Sequence, residues 1–295
     1  MDINFELYKV FYHVAQSLSF STASERLCIS QSAVSQSIRS LEEKFNCKLF
    51  LRNSKHVALT QEGLLLFKHI EQAFNFIKSG EQGIQEMHSL KYGTVRIGAS
   101  DTICKYYLLP YLKKFNQLYP QIKIQVTNRT SPRCLELLNS GFVDIAVINL
   151  PLKTGLENAV VKKIKAIQDV FIAGPNFSGL KGQKIPLPEL ARYPLLMLEK
   201  DTVTRKFFDD FLGSHGVRIV PEIELGSVDL LVEMTRIGLG ISFVMENAVE
   251  KELAADEVFV VTTKEKIPSR KLGVITNARI PVPVAAEKFI EVIDK

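Results

Sequence analysis

The sequence predicts an α/β protein in three parts: a winged helix-turn-helix over residues 1–60, one long helix over 61–90, and a part alternating strands with helices over 91–295. Two helix starts close together, followed by two short extended runs, mark the first part between Ser19 and Arg52. A heptad of apolar residues marks the second, and short β runs separated by capped helical stretches mark the third.

Taken in order, Phe5, Leu7, Val10, Phe11 and Val14 fall at helical spacing, which predicts a first helix over 3–16. His13 lies on it and reads as a packing or surface imidazole. Thr22 with Glu25 three residues on forms a capping-box pattern opening a short helix that closes near Leu27, and Ser30 offers a second N-cap. In the helix that follows, Val34, Ile38, Leu41 and Phe45 form one apolar stripe. The opposite face carries Gln31, Ser32, Ser35, Gln36 and Arg39, side chains able to hydrogen-bond base edges or phosphates in a major groove, with Ser30 at its start. Lys48–Thr60 holds the extended pieces of a wing, with Arg52, Lys55 and His56 near its tip, where basic residues contact phosphate. Between Arg26 and Lys55 six basic residues face two acidic ones, whereas the whole chain carries only +5, so the basic balance sits where DNA would lie.

From Gln61 to about Ser89, Leu66, Ile70, Ala73, Ile77, Gly80, Ile84 and Met87 alternate spacings of four and three, a seam widened by Phe67 and Phe74. Packing on its own domain is one reading of this seam; self-association is favoured, because so long a helix on so small a domain has little else to cover it. The helical pattern stops at Lys91-Tyr92-Gly93. Strands are then expected near 94–99, 122–127, 143–149, 160–164, 169–173, 195–198, 219–225, 240–244, 258–262 and 272–276, in mainly parallel sheets covered by helices. Pro110 is expected to start one helix, and Gly141 to end the helix after Pro132.

The order Phe11, Val14-Ala15, Ser19-Phe20, Ala23, Leu27, Ser30-Gln31, Ala33-Val34-Ser35, Ile38, Leu41-Glu42, Leu49-Phe50, Arg52, Leu59-Thr60 and Gly63 resembles the LysR-type transcriptional regulators. It departs from that pattern at Ser24, where a second alanine is usual, and at Asn46, where a glycine commonly precedes the wing; asparagine tolerates the left-handed backbone such a position needs. The resemblance implies an effector domain of two Rossmann-like, periplasmic-binding-protein-like subdomains joined by two crossover strands, the first from about 91–165 and 267–295, the second from about 166–266. It also implies dimers through the linker helix (Leu66, Ile70, Ala73, Ile77, Ile84), assembly to a homotetramer, and an interrupted palindromic operator in double-stranded DNA. Contact with RNA polymerase is the further partner it suggests.

Ligands of open α/β sheets bind at the carboxyl ends of strands, where helix N-termini present free amides. Ser100, Asp101 and Thr102, then Ser131, Asn149, Thr202, Thr204 and Ser227 stand at such ends. Singly each is an ordinary N-cap; together they match the effector cleft that the resemblance implies. Hydroxyls and amide dipoles suit an anion, while Asp101 could meet an amino group, which leaves an amino acid open.

Other classes find less support. There is no G-x-S-x-G elbow, H-E-x-x-H or phosphate loop, so no catalytic residues are expected, and Ile237-Gly238-Leu239-Gly240 lacks a dinucleotide fingerprint. Cys28, Cys47, Cys104 and Cys134 lack CxxC spacing and the five histidines are scattered, so neither metal nor cofactor is expected. A solute-binding protein would not need the basic first sixty residues. The closest rival is a thiol-responsive regulator using Cys104 or Cys134, both near expected helix starts. Asp2 and Glu6 interrupt any signal peptide and no run approaches 18 apolar residues, so a cytoplasmic protein without membrane contact is expected.

Overall fold

The computed structural model describes residues 3–53, 56–88, 93–152 and 155–294; Asp2, Lys55, Ser89, Lys91 and Tyr92, named above, lie outside them. Two compact units result, Met1–Glu81 and Gln82–Lys295.

In the first unit, α1 (Phe5–Ser17), α2 (Phe20–Leu27) and α3 (Gln31–Phe45) precede the antiparallel strands β1 (Phe50–Asn53) and β2 (His56–Leu59), and α4 (Gln61–His88) begins. The cap of α2 differs from the expected capping box. Ser19, not Thr22, is the N-cap, its hydroxyl accepting the Thr22 N–H at 3.2 Å, so the helix starts almost a turn earlier. Phe20 thereby joins the core with Phe11, Val14, Ala23, Val34, Ile38 and Leu41. Asn46 ends α3 with φ of 50°, the left-handed conformation expected of it.

The wing is tied to both neighbouring helices. Glu42 of α3 is buried, and its carboxylate accepts the N–H groups of Leu49 and Phe50 at 3.0 and 3.4 Å and the Lys48 ammonium at 2.9 Å. On the other side Thr60 donates its hydroxyl to the Lys48 carbonyl at 2.7 Å and accepts the Gly63 N–H at 2.9 Å, which caps α4. A Cβ on Gly63 would stand 2.1 Å from the Leu49 carbonyl oxygen, so only glycine lets α4 approach the wing this closely.

The second unit runs β3 (Gly93–Ala99), α5 (Asp101–Ile103), a π turn (Cys104–Leu108), α6 (Leu109–Leu118), β4 (Ile122–Asn128), α7 (Ser131–Asn139), β5 (Ile145–Leu150), β6 (Ala159–Ile167), β7 (Asp169–Ala173), β8 (Lys184–Ile185), β9 (Leu195–Leu198), α8 (Val203–Ser214), β10 (Ile223–Leu225), α9 (Val228–Arg236), β11 (Ile241–Met245), α10 (Glu250–Ala254), β12 (Phe259–Thr263), β13 (Arg270–Asn277) and α11 (Val284–Asp294). One sheet has the order β4-β3-β5-β13-β6 and the other β10-β9-β11-β7-β12-β8. The chain passes between them twice, from β6 into β7 and from β12 into β13.

The sheets are mixed rather than mainly parallel. β13 is antiparallel to β5 and β6, and β7 to β11 and β12, because strands that cross between the sheets need not follow the direction set by helical crossovers. Strand β10 is shorter than expected: Pro221 has no N–H to give a ladder, and pairing starts at Ile223. The two-residue β8 has no periodicity to reveal it.

Pro110 stands in the first turn of α6, as expected, but α6 has no free start. It lies in a continuous helical stretch from Asp101 to Leu118, just after the π turn, in which the Leu109 N–H reaches the Cys104 carbonyl. A proline inside an α-helix leaves a carbonyl unpaired and crowds it; the wider turn ahead of it takes up the misfit. Gly141, with φ of 69°, ends α7 as expected.

Candidate functional site

The exposed side of α3 presents Gln31, Ser32, Gln36 and Arg39, with Ser35 half-buried, opposite the buried stripe of Val34, Ile38 and Leu41. The first turn holds no acid, so the helix's partial positive end faces outward unopposed. Ser30 is committed locally: its hydroxyl accepts the Ala33 N–H at 3.2 Å and lies 2.9 Å from the Ser32 hydroxyl. Arg52 stands on β1 opposite Val57, and Lys55 is outside the described residues. Glu42 positions the wing from the buried side of α3. Burial first, and then the charges of Arg26, Lys78 and Lys9, lower the pKa of His13.

In the second unit a cavity of about 300 Å³ lies between the two sheets. Ser100, Asp101, Thr102, Ser131, Asn149, Thr202 and Thr204 all line it. Ser227 does not: its neighbours Gly226 and Val228 reach the wall, while its own hydroxyl caps α9 at the Leu230 N–H, 3.4 Å away. The starts of α5, α7 and α8 converge here, from both halves of the unit.

The hydroxyls are not equivalent. That of Thr202 donates to the Glu199 carbonyl at 2.8 Å and accepts the Arg205 N–H at 3.2 Å, which uses both of its roles. Ser100 accepts the Ile103 N–H and Ser131 the Asn149 N–H. Among the described residues Thr102, Thr130 and Thr204 make no side-chain hydrogen bond, and Ser100 and Ser131 only accept, so all five hydroxyls have an O–H to donate.

Sequence reasoning missed two cations on this wall. Arg129 donates to the Asn128 carbonyl at 2.7 Å and has no carboxylate partner among the described residues. Arg270, at the start of β13, is buried; it binds Asp169 of β7 through two nitrogens and Asn149 of β5 at 2.8 Å, and its guanidinium lies 5.5 Å from the Phe207 ring centre. It joins both sheets where the chain passes between them. Its place two residues before the strand expected over 272–276 was the available signal. Ile103, Leu198, Val203, Val228, Val244 and Met245 supply an apolar remainder. Asp101 is the acid of the wall, held by the Asn128 amide at 3.3 Å.

Cys134 is buried and its thiol donates to the Arg129 carbonyl at 3.2 Å; Cys104 is half-buried. Burial above all pushes both thiols up to about 11, so at neutral pH only roughly one in ten thousand is thiolate. Among the described residues no cluster of three His, Cys, Asp or Glu could hold a metal ion, and no helix is long and apolar enough to cross a membrane.

The structure divides the expected linker seam. Leu66, Phe67 and Ile70 pack on the core of the first unit, and Phe74 stacks on Tyr12 with ring centres 4.6 Å apart. Ala73 is half-buried, whereas Ile77 and Ile84 are 43% and 62% exposed. The Met87 side chain lies outside the described residues.

The family model described as "Bacterial regulatory helix-turn-helix protein, lysR family" matches residues 5–64, and "LysR substrate binding domain" matches residues 88–295. A "Probable RuBisCO transcriptional regulator" of Cyanidioschyzon merolae is 29% identical over 273 residues, covering 91% of this chain and 90% of the relative. The "Uncharacterized HTH-type transcriptional regulator MJ0300" of Methanocaldococcus jannaschii is 26% identical, with full coverage of both chains. Among solved structures, a full-length OxyR variant from Pseudomonas aeruginosa superposes with a TM-score of 0.74 at 20% identity, covering 99% of this chain and 95% of that one. Full-length CbnR in complex with its target DNA gives 0.67 at 16% identity, covering 99% of each.

Proposed function

The chain belongs to the LysR family of bacterial transcriptional regulators, and on that premise we propose that a small anionic metabolite, bound in the cavity between the two sheets, controls how residues 1–60 engage DNA. The observation that carries this is the convergence of helix starts from both halves on one cavity whose wall holds Arg129, which has no carboxylate partner among the described residues. Amide dipoles, free threonine hydroxyls and a guanidinium favour negative charge, and the apolar remainder suits a carbon skeleton. Asp101 on the same wall favours, as the second reading, an amino acid whose ammonium meets it.

In this reading the wall residues Ser100, Thr102, Ser131, Asn149 and Thr204 contact the effector, with Asp101 at the ammonium and Thr202 and Ser227 shaping helix starts. Residues 30–39 of α3 read an interrupted palindrome and Arg52 and Lys55 hold phosphates, a role supported by the CbnR complex with its target DNA. Residues 61–90 pair two chains through Ile77 and Ile84, dimers assemble to a tetramer, and the protein works in the cytoplasm, where it meets RNA polymerase. The thiol-responsive alternative loses support, since neither Cys104 nor Cys134 lines the cavity and burial pushes both thiols up to about 11.

The test is a thermal-shift screen of the full chain against carboxylates, phosphate esters and amino acids, because a ligand that binds the folded state raises its apparent stability. The reading requires a hit whose effect is lost in Arg129→Ala. A hit with undiminished effect in that variant would place the ligand elsewhere.

A further inference from the structure

We propose that Lys105, Tyr106 and Asp229 form a clasp that holds the two halves of the second unit together beside the cavity, so that the cavity is shaped before any ligand arrives. This rests on the cavity being the effector site. Lys105 and Tyr106 lie in the π turn of the first half, next to Ile103 on the wall; Asp229 lies in the first turn of α9 in the second half, next to Val228 on the wall.

The Tyr106 hydroxyl donates to Asp229 Oδ1, and the Lys105 ammonium reaches the same oxygen at 2.8 Å. The Tyr106 ring packs against both apolar clusters, the one behind β3 and β5 and the one that includes Leu196, Val228 and Leu231. It is an aromatic peg shared by two cores. The π turn shifts the register of the side chains that follow it, and Tyr106 sits within that turn.

Among the described residues, two polar links of different kinds join the halves. Arg270 with Asp169 and Asn149 is buried and stands at strands that the chain already joins. The clasp joins helices with no covalent tie, and its ion pair is half-exposed. A half-exposed pair exchanges readily with water, whereas a buried one does not. The first link therefore acts as a pivot and the second as the part that opens. Burial first, then the bond to Asp229, pushes the Tyr106 hydroxyl up to about 12, so it remains a donor throughout the physiological range.

The consequence is quantitative. If the competent arrangement is only fractionally populated, apparent affinity falls by that fraction, so a clasp that keeps the halves closed sets affinity without touching ligand.

The experiment needs no ligand. Nitroxide labels on azide-bearing residues at Lys114 in α6 and Lys251 in α10, in full-length chains diluted with unlabelled protein, report the distance between the halves by pulsed electron resonance. A single narrow distribution is expected for the otherwise native chain, and a second, longer component in Asp229→Asn and in Tyr106→Phe. Phenylalanine keeps the peg in both cores, so that variant decides the matter if the asparagine variant melts. Unchanged distributions in folded Tyr106→Phe overturn the clasp, whatever the ligand screen finds. Conversely, a longer component with no ligand found in the screen leaves the clasp standing and removes the effector.

Discussion

Glu42 accepts the backbone N–H of Leu49 at 3.0 Å, so the helix proposed to read bases and the strand that opens the wing share one buried carboxylate. Burial alone would raise its pKa, but the Lys48 bond and the two N–H groups outweigh it and hold the carboxyl below the usual range. A depressed folded pKa gives stability that is present above the unfolded value near 4.3 and lost as pH falls through the folded one. Glu42→Gln should cost about 1.5–3 kcal/mol at neutral pH and remove that acid-limb loss. Urea melts between pH 7 and 3 decide it; parallel pH profiles for both proteins would count against the role.

Base reading should separate from phosphate holding. Gln31→Ala or Ser35→Ala should narrow the gap between operator and random duplex, whereas Arg39→Ala and Arg52→Ala should weaken both and flatten the dependence of affinity on salt. Titrations at several salt concentrations distinguish the two patterns.

Ile84→Asp is the clean test of pairing through α4, because its side chain is exposed in the single chain and buried in any seam. Light scattering should show a smaller assembly, with a melting temperature that no longer depends on protein concentration. Ile70→Asp should instead lower the melting temperature, since Ile70 packs on the core of its own chain.

Thr102→Val and Thr204→Val should each weaken effector binding roughly ten- to a hundredfold, the worth of one charge-assisted hydrogen bond, while leaving basal DNA binding intact. Thr202→Val differs, since its hydroxyl caps α8, and should lose roughly 1 kcal/mol of stability instead. Calorimetry and melting curves on the three variants separate contact from cap.

Peroxide should leave the DNA footprint unchanged, as should Cys104→Ser and Cys134→Ser. A footprint that moves with oxidant and stops moving in either variant would revive the thiol reading.

What the sequence made legible is what local chemistry repeats. The stripe from Val34 to Leu41, the left-handed Asn46 and the run of hydroxyls at strand ends each carry a local signal, and seven of the eight residues assigned to the effector site line one cavity. The rest depended on contacts between distant residues. Arg129 and Arg270 reach the wall only because two sheets face each other. Glu42 is indistinguishable in sequence from a solvated acid until Leu49 folds back on it. Leu66 and Ile70 share the spacing of Ile77 and Ile84, and periodicity has no means of telling a neighbouring helix in the same chain from one in another.

The π turn from Cys104 to Leu108 makes chain length there a structural variable. An α-helix turns about 100° per residue, so deleting one residue from this turn would restore ordinary helical winding and rotate what precedes it against α6. Tyr106 would swing away from Asp229, and Pro110 would meet an α-helical carbonyl with no slack ahead of it. No substitution imitates that change, because exchanging a side chain leaves the number of residues in the turn, and so its winding, as it is; the stretch is intolerant of a deletion while its exposed positions tolerate exchange.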